Sequence, residues 1–163
     1  MWWLVVSVVK LVWTLDSFTK SIATRNLRLG EGRKHLGGSL VLTNVRNSGG
    51  FNGILSERPC LLKIASILIL IKGFVFAHRE AHAESDDTPC KYWVFYGMFL
   101  GGALANVVER LRRGYVTDFV QLRCRRTGGA TPIFNLADVF IVLGIIGLSI
   151  IRIKKCFKRL SNR

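Results

Sequence analysis

The sequence predicts an all-α membrane protein with four transmembrane helices and a small β-containing extramembrane platform between helices 1 and 2. Half of the 163 residues are hydrophobic, and the mean hydropathy of +0.32 is high for a soluble protein. The formal net charge is +14, and the basic residues flank the apolar runs. Apolar spans separated by basic loops explain both properties, since Lys and Arg beside a bilayer favour anionic lipid headgroups. The spans cover roughly residues 2–23, 60–78, 91–111 and 132–151 of a single domain, residues 1–163.

The first span, residues 2–23, is long enough to cross a bilayer, which takes about 20 residues. It has no basic stretch before its apolar run and no convincing small-residue cleavage site, so we do not expect a cleaved signal peptide. Asp16 and Lys20 interrupt the span, but their spacing places them on one face of a helix. An ion pair between them would make their burial tolerable.

The platform follows in residues 24–59, which are polar, basic and rich in glycine. Residues Ser39 to Val45 are aliphatic and β-branched and predict one or two strands, and Asn47 to Gly53 predicts a turn-rich loop. The region is too short for an independent domain.

The second span, residues 60–78, carries Lys63 near one end, where its side chain can reach the interface, and Lys72 within the apolar run. It is followed by residues 79–90, the only acidic part of the chain. Lys72 is the residue that argues most against this predicted span.

The third span, residues 91–111, begins with aromatic residues and continues with a run of small ones. The aromatic residues are typical of an interfacial belt, and the small residues allow close approach of another helix. Asn106 and Arg110 share a helix face that we expect to point into the bundle. The aromatic residues are Tyr92, Trp93 and Tyr96, and the small ones are Gly101, Gly102, Ala103 and Ala105.

The fourth span follows a basic loop, residues 112–131, that contains Asp118. Pro132 predicts the start of its helix. Asn135 and Asp138 would then share a face. The basic tail after this span predicts a cytoplasmic C-terminus, and four crossings place the N-terminus on the same side.

Several other functions are disfavoured by the sequence. The basic residues form no recognisable nucleic-acid-binding motif, so no nucleic-acid partner is expected. The four cysteines are about thirty residues apart, whereas zinc sites need close pairs of ligands, so no metal site is expected. Motifs of the types GxGxxG, HExxH and GxSxG are absent from the sequence.

The most informative feature is the pair of aspartates at the edges of apolar segments, Asp118 and Asp138. A carboxylate near a bilayer core is costly and usually functional. Two that converge can share one proton, so that one acts as base and the other as acid. This predicts an intramembrane aspartyl peptidase, with a purely structural buried pair as the alternative.

The motifs that surround these aspartates resemble those of the lipoprotein signal peptidases, or signal peptidase II, across essentially the whole chain. The matching blocks are LDSFTK, NVRNSGGF, GGALANVVERLRRGYVTDF and PIFNLAD, in this order. The resemblance makes Asp118 and Asp138 catalytic and Asp16 and Lys20 structural. It also assigns substrate-binding or supporting roles to Asn47, Gly49, Asn106, Arg110 and Asn135.

The resemblance implies a multi-pass enzyme of the bacterial cytoplasmic (inner) membrane, with its active site near the outer face and both termini in the cytoplasm. Its substrates would be diacylglyceryl-modified prolipoproteins, cut just before the lipid-modified cysteine. It implies no metal or other cofactor, and inhibition by globomycin-type cyclic peptides.

Two departures from the family pattern leave alternative functions open. Glu109 stands where the family usually has Asp, and we expect it to pair with Arg112 or Arg113. The loop from Asn47 to Phe51 is one residue short. These features would suit a catalytically degenerate relative that binds lipoprotein precursors. A proton or ion pathway is a third possible function. It would need polar residues throughout the depth of the membrane, whereas here they cluster near the ends of the spans.

Overall fold

The computed structural model describes residues 1–50, 57–83 and 90–161. Within these residues the chain forms four long helices, as the sequence predicts, and one three-stranded sheet, whose third strand lies between the third and fourth helices and so outside the predicted platform. The helices are α1 (Trp2–Asn26), α2 (Pro59–Ala83), α3 (Cys90–Arg113) and α4 (Leu136–Ser161), and the strands are β1 (Gly32–His35), β2 (Leu40–Asn47) and β3 (Val116–Leu122).

Three of these helices contain segments long and apolar enough to cross a membrane: Trp2–Asn26, Pro59–Phe76 and Leu136–Lys158. Their outer faces carry exposed Leu, Ile, Val and Phe side chains, as lipid-facing helices do. Helix α3 has 24 residues and is long enough, but it is less apolar. It packs against α1, α2 and α4. Because α3 faces protein on several sides, it needs less hydrophobicity than its neighbours.

The small residues of α3 allow the close packing that the sequence predicts. A Cβ added at Gly101 would lie 2.9 Å from Val12 Cβ of α1. At Gly102 it would lie 2.5 Å from the backbone oxygen of Ala137 in the first turn of α4. These two glycines therefore fix how closely α1 and α4 approach α3.

The aromatic residues at the start of α3 differ from the prediction. Tyr92, Trp93 and Tyr96 are buried between the helices and do not form an interfacial belt. Tyr96 is fully buried, and its hydroxyl donates to the backbone oxygen of Phe74 in α2 at 3.3 Å. The central position of α3 explains the difference, because its aromatic face meets α1 and α2.

The sheet is antiparallel with the strand order β1-β2-β3. Strand β2 confirms the prediction of a strand near Ser39 to Val45. Strand β3 corrects the prediction of a loop over residues 112–131, because Asp118 lies within this strand and pairs with Val45. The segment VTDFVQL is rich in β-branched and apolar residues, and its pairing with β2 outweighs the basic flanks.

The start of the fourth helix is also corrected, from Pro132 to Leu136. The preceding residues run beside β3, where Phe134 and Val120 exchange two backbone hydrogen bonds of 2.9 Å. The helix continues to Ser161, beyond the predicted end at residue 151, because the basic tail is helical.

We expect Gly102→Ala to destabilise the protein by roughly 1–3 kcal/mol, the usual cost of overpacking. The new methyl group would collide with backbone at Ala137, which cannot move without shifting α4. Thermal unfolding in detergent micelles measures the effect. Gly129→Ala is the matched control, since its Cβ would meet only the Thr127 hydroxyl, at 3.3 Å. Equal melting temperatures for the two variants would contradict this account of the α3–α4 contact.

Candidate active site

Asp118 is the more buried of the two aspartates, with 3% of its surface exposed. From β3, its side chain reaches the residue before α4 and the last residue of β2. Oδ1 accepts a hydrogen bond of 2.7 Å from Asn135 Nδ2, and Oδ2 accepts one of 2.8 Å from Asn47 Nδ2. Both carboxylate oxygens of Asp118 are therefore held by asparagine amides.

Asp138 is the third residue of α4 and belongs to the cap of that helix. Its backbone N–H donates to Asn135 Oδ1 at 3.0 Å, and its Oδ2 accepts from the Asn135 backbone N–H at 3.1 Å. This reciprocal pair is a capping box, which satisfies backbone donors at a helix start. Asp138 Oδ1 accepts a further bond of 2.8 Å from Asn106 Nδ2.

Asn135 brings the two aspartates together. Its side-chain Nδ2 binds Asp118, while its backbone N–H binds Asp138. The sequence-based expectation that Asn135 and Asp138 share a helix face is replaced by a more specific arrangement, because Asn135 precedes the helix and caps it. One residue thus orients both carboxylates.

Asn106 continues the network from α3. Its Oδ1 accepts from Lys20 Nζ at 2.9 Å and from Asn135 Nδ2 at 3.2 Å, and its Nδ2 is left to donate to Asp138. The two donors at Oδ1 determine which way the amide points.

Lys20 and Asp16 form the ion pair that the sequence predicts, with Lys20 Nζ 2.7 Å from Asp16 Oδ2. Asp16 Oδ1 also accepts from the Ala137 backbone N–H, at 2.9 Å. Helix α1 is therefore attached directly to the first turn of α4.

Arg110 and Gly49 meet next to Asn47, the residue that binds Asp118. Arg110 Nη2 donates to the backbone oxygen of Gly49 at 2.8 Å, and the Gly49 N–H donates to Asn47 Oδ1 at 3.0 Å. Arg110 Nε is buried and has no hydrogen-bond partner among the described residues. Phe51 lies outside the described residues, so the predicted shortening of this loop stays a prediction.

Two further residues join the site without having been predicted there. Glu109 contacts Lys20 Nζ at 2.9 Å, and Thr117 donates to Glu109 through its hydroxyl at 2.7 Å. The expected pairing of Glu109 with Arg113 is present at 3.3 Å. The spacing of Glu109 from Asn106 places both on one helix face and could have indicated its role. Nothing in the local sequence of Thr117 indicates one.

Comparison with known proteins identifies the family of the chain. Residues 8–154 match the family model described as signal peptidase (SPase) II. The chain belongs to the signal peptidase II family. It is 33% identical to a lipoprotein signal peptidase of Halalkalibacterium halodurans, over 91% of this chain and 92% of that protein. With the lipoprotein signal peptidase of Streptococcus pneumoniae the identity is 28%, over 93% of this chain and 94% of the relative.

Solved structures agree with this family membership. One bacterial membrane enzyme, determined by the in meso method at 2.3 Å resolution, has a TM-score of 0.77 at 28% identity, covering 93% of this chain and 88% of the other. A second, at 1.9 Å resolution, has a TM-score of 0.73 at 28% identity and covers 92% of each chain. Membership in the signal peptidase II family supports a peptidase that cleaves signal peptides from lipoproteins.

The electrostatics of this signal peptidase II family member shift Asp118 toward its protonated form. Burial raises the pKa of Asp118 to about 6, and the nearby charge of Asp138 acts in the same direction. The hydrogen bonds from Asn47 and Asn135 and the charge of Lys20 oppose the rise in pKa. A carboxyl with a pKa near neutrality can take up or release a proton during a reaction. No metal-ligand group of three His, Cys, Asp or Glu residues occurs within the described ranges.

We expect the stability of Asp118→Asn, measured relative to wild type, to increase as the pH rises from about 4 to about 8. The folded-state pKa of Asp118, about 6, lies above the ordinary value of 3.8. Its contribution to stability is therefore present below the ordinary pKa and lost as the pH rises through 6, whereas asparagine stays neutral. Melting temperatures in micelles across this pH range measure the difference.

Glu31→Gln is the control for that series, because hydrogen bonding to Arg33 lowers the pKa of the exposed Glu31. The charged form of Glu31 favours folding. Any stability that Glu31→Gln loses relative to wild type should therefore be lost toward higher pH, the opposite direction to Asp118→Asn. A difference between Asp118→Asn and wild type that is independent of pH would contradict the raised pKa.

Proposed function

We propose that the chain is an intramembrane aspartyl endopeptidase that removes signal peptides from diacylglyceryl-modified prolipoproteins, cutting before the lipid-modified cysteine. The observation that carries the proposal is the convergence of Asp118 and Asp138 on Asn135. Membership in the signal peptidase II family supports the reaction class and the lipoprotein substrates. The proposal adds the aspartyl mechanism and the position of the cut.

The two carboxyl groups would hold one proton between them, since two like charges close together cannot both ionise cheaply. The ionised carboxylate takes a proton from a water molecule, whose oxygen bonds to the carbonyl carbon of the scissile peptide. The protonated carboxyl donates to the developing oxyanion. The carbon–nitrogen bond then breaks as the leaving amine receives a proton, which yields a carboxylic acid and a free amine.

The lengths and charges of the helices support a placement in the membrane. With α3 as a fourth crossing, the two termini lie on one side, and the basic end of α4 favours the cytoplasm. The aspartates, at the other end of the bundle with the sheet, would then lie near the outer face of the bacterial inner membrane. Basic residues around the sheet and at the end of α4 would favour anionic lipids.

The substrate would lie across Arg110 and the segment from Asn47 to Gly49. The buried Arg110 Nε has a hydrogen to donate and no acceptor among the described residues. A peptide carbonyl of the precursor is a suitable acceptor, because an unsatisfied buried donor gains free energy when it is paired. Arg110 would thereby hold the precursor beside Asp118.

The direct test is cleavage of a diacylglyceryl-modified prolipoprotein by purified protein in micelles. We expect wild-type activity, and a fall of roughly 100-fold or more in both Asp118→Asn and Asp138→Asn, because each removes one member of the acid–base pair. Glu31→Gln, an exposed carboxylate of the platform region, is the control and should keep full activity. A globomycin-type cyclic peptide should inhibit the wild type.

Near-normal activity in either aspartate variant would refute the aspartyl mechanism. Precursor binding without cleavage by wild type would instead favour the catalytically degenerate relative.

We expect Arg110→Lys to raise the KM for the precursor by roughly tenfold, the equivalent of one lost hydrogen bond to a charged group. Lysine keeps the positive charge but cannot supply both the Nη2 bond to Gly49 and the free Nε donor. Steady-state kinetics in micelles measure the change. Arg112→Lys, at an exposed position two residues along α3, is the matched control. An unchanged KM in Arg110→Lys would exclude Arg110 from substrate binding.

A further inference from the structure

Glu109 lies where α3, β3 and α1 meet, and its side chain is only 11% exposed. One carboxylate oxygen, Oε1, accepts from the Thr117 hydroxyl at 2.7 Å. The other, Oε2, lies 2.9 Å from Lys20 Nζ and 3.3 Å from the Thr117 backbone nitrogen. The contact with Arg113 is peripheral, because the Arg113 side chain is 54% exposed. The two buried partners of Glu109 therefore come from β3 and α1.

The contact with β3 leads to Asp118. Thr117 is fully buried and immediately precedes Asp118 in the strand. Glu109 binds both the hydroxyl and the backbone N–H of Thr117. It therefore fixes the position of the backbone immediately before Asp118. Neighbouring side chains of a strand point to opposite faces. Glu109 thus holds the strand from the face opposite to that of the Asp118 carboxylate.

The contact with α1 leads to Asp138 by two routes. Lys20 donates to Asn106 Oδ1, which leaves Asn106 Nδ2 to bind Asp138. Lys20 also pairs with Asp16, which accepts from the backbone N–H of Ala137, the neighbour of Asp138. The position of Lys20 therefore influences both the hydrogen bond to Asp138 and the first turn of its helix.

We propose that Glu109 is a positioning residue for both aspartates: through Thr117 it holds the strand that carries Asp118, and through Lys20 it holds the network that orients Asp138. The carboxylate touches neither aspartate and takes no part in proton transfer. This inference rests on the proposed function, because it assigns Glu109 a role in the same site. It extends that function by linking the two halves of the dyad through one side chain.

The sharpest test uses Thr117, because valine has nearly the same shape as threonine and lacks the hydroxyl. We expect Thr117→Val to lower kcat by roughly 10- to 100-fold, the usual effect of losing a residue that supports a catalytic group. The KM should stay within about twofold, because Arg110 and Gly49 are untouched. Thr117→Ser keeps the hydroxyl and should restore most of the wild-type kcat.

Thr43→Val is the matched control for Thr117→Val. Thr43 is a buried threonine of the neighbouring strand β2, and it pairs with Gly32 of β1. The Thr43→Val variant should keep the wild-type kcat. The positioning role is overturned if Thr117→Val keeps wild-type kcat, or if Thr117→Ser is as impaired as Thr117→Val, since packing and not the hydroxyl would then be responsible.

Glu109→Gln tests the other end of the contact, because it removes the charge that faces Lys20. Its kcat should fall at least as far as that of Thr117→Val. The double variant should be hardly worse than Glu109→Gln alone, since residues that act through one contact are not additive. Full additivity of the two losses would overturn the proposal.

A measurement that does not depend on cleavage separates this inference from the proposed function. The Asp118 carboxyl can be titrated by infrared or NMR spectroscopy in protein labelled with carbon-13 at the aspartyl carboxyl, with Asp118→Asn assigning the signal. The charged groups that act on it, Asp138, Lys20 and Arg110, are unchanged in the threonine variants.

A loosened β3 weakens the bonds from Asn47 and Asn135 that hold the pKa of Asp118 down. We therefore expect the pKa to rise above about 6 in Thr117→Val, which changes no charge, and to stay at the wild-type value in Thr117→Ser. If wild type cleaves no precursor, the proposed function fails, and this titration alone decides the inference. An unshifted pKa in Thr117→Val overturns it.

Discussion

Burying charge away from water is costly unless each ionised group finds a partner, and this constraint shapes the centre of the molecule. Lys20 is 5% exposed, and its ammonium group is held by two carboxylates and one amide oxygen. These partners come from α1 and α3, so one cation holds two helices in register. Removal of Lys20 would leave Asp16 buried without a cation and Glu109 with the peripheral Arg113 alone, and the loss at Asp16 would reach α4 through Ala137.

The start of α4 shows how the fold and the candidate active site depend on the same atoms. The first turn of a helix has backbone N–H groups without partners inside the helix. Here Asn135 and Asp16 satisfy two of them, on Asp138 and Ala137. The positive end of the helix dipole also favours a carboxylate at this position. Asp138 is therefore oriented by the interactions that begin its helix, and the geometry of the site is formed as α4 forms.

The sequence predicted the helices better than the elements between them. Long apolar runs are reliable signals because a bilayer-sized helix needs about 20 such residues. Strand β3 was missed because its stability comes from pairing with β2, a contact between distant parts of the chain. Pro132 was a misleading start signal, because the backbone next to β3 keeps the segment extended as far as Asn135.

The site was predictable to the extent that its residues occur in recognisable blocks. The structure brings all nine expected residues into one network or beside it, from Asp16 in α1 to Asp138 in α4. The inward role of Glu109 was not predicted, because a glutamate followed by several arginines indicates a surface ion pair. Only the meeting of α1, α3 and β3 turns that side chain toward Lys20 and Thr117.

Helix α3 is the least apolar of the four long helices, and its position in the fold explains why. It carries Asn106, Glu109 and Arg110, whose polar groups lower its average hydrophobicity while they face other protein groups. Glycines on the same helix bring α1 and α4 close enough for those polar groups to meet their partners. A helix that must supply both close packing and buried hydrogen bonds cannot also be the most apolar one. Its low hydropathy is therefore a consequence of its central position and of the site it supports.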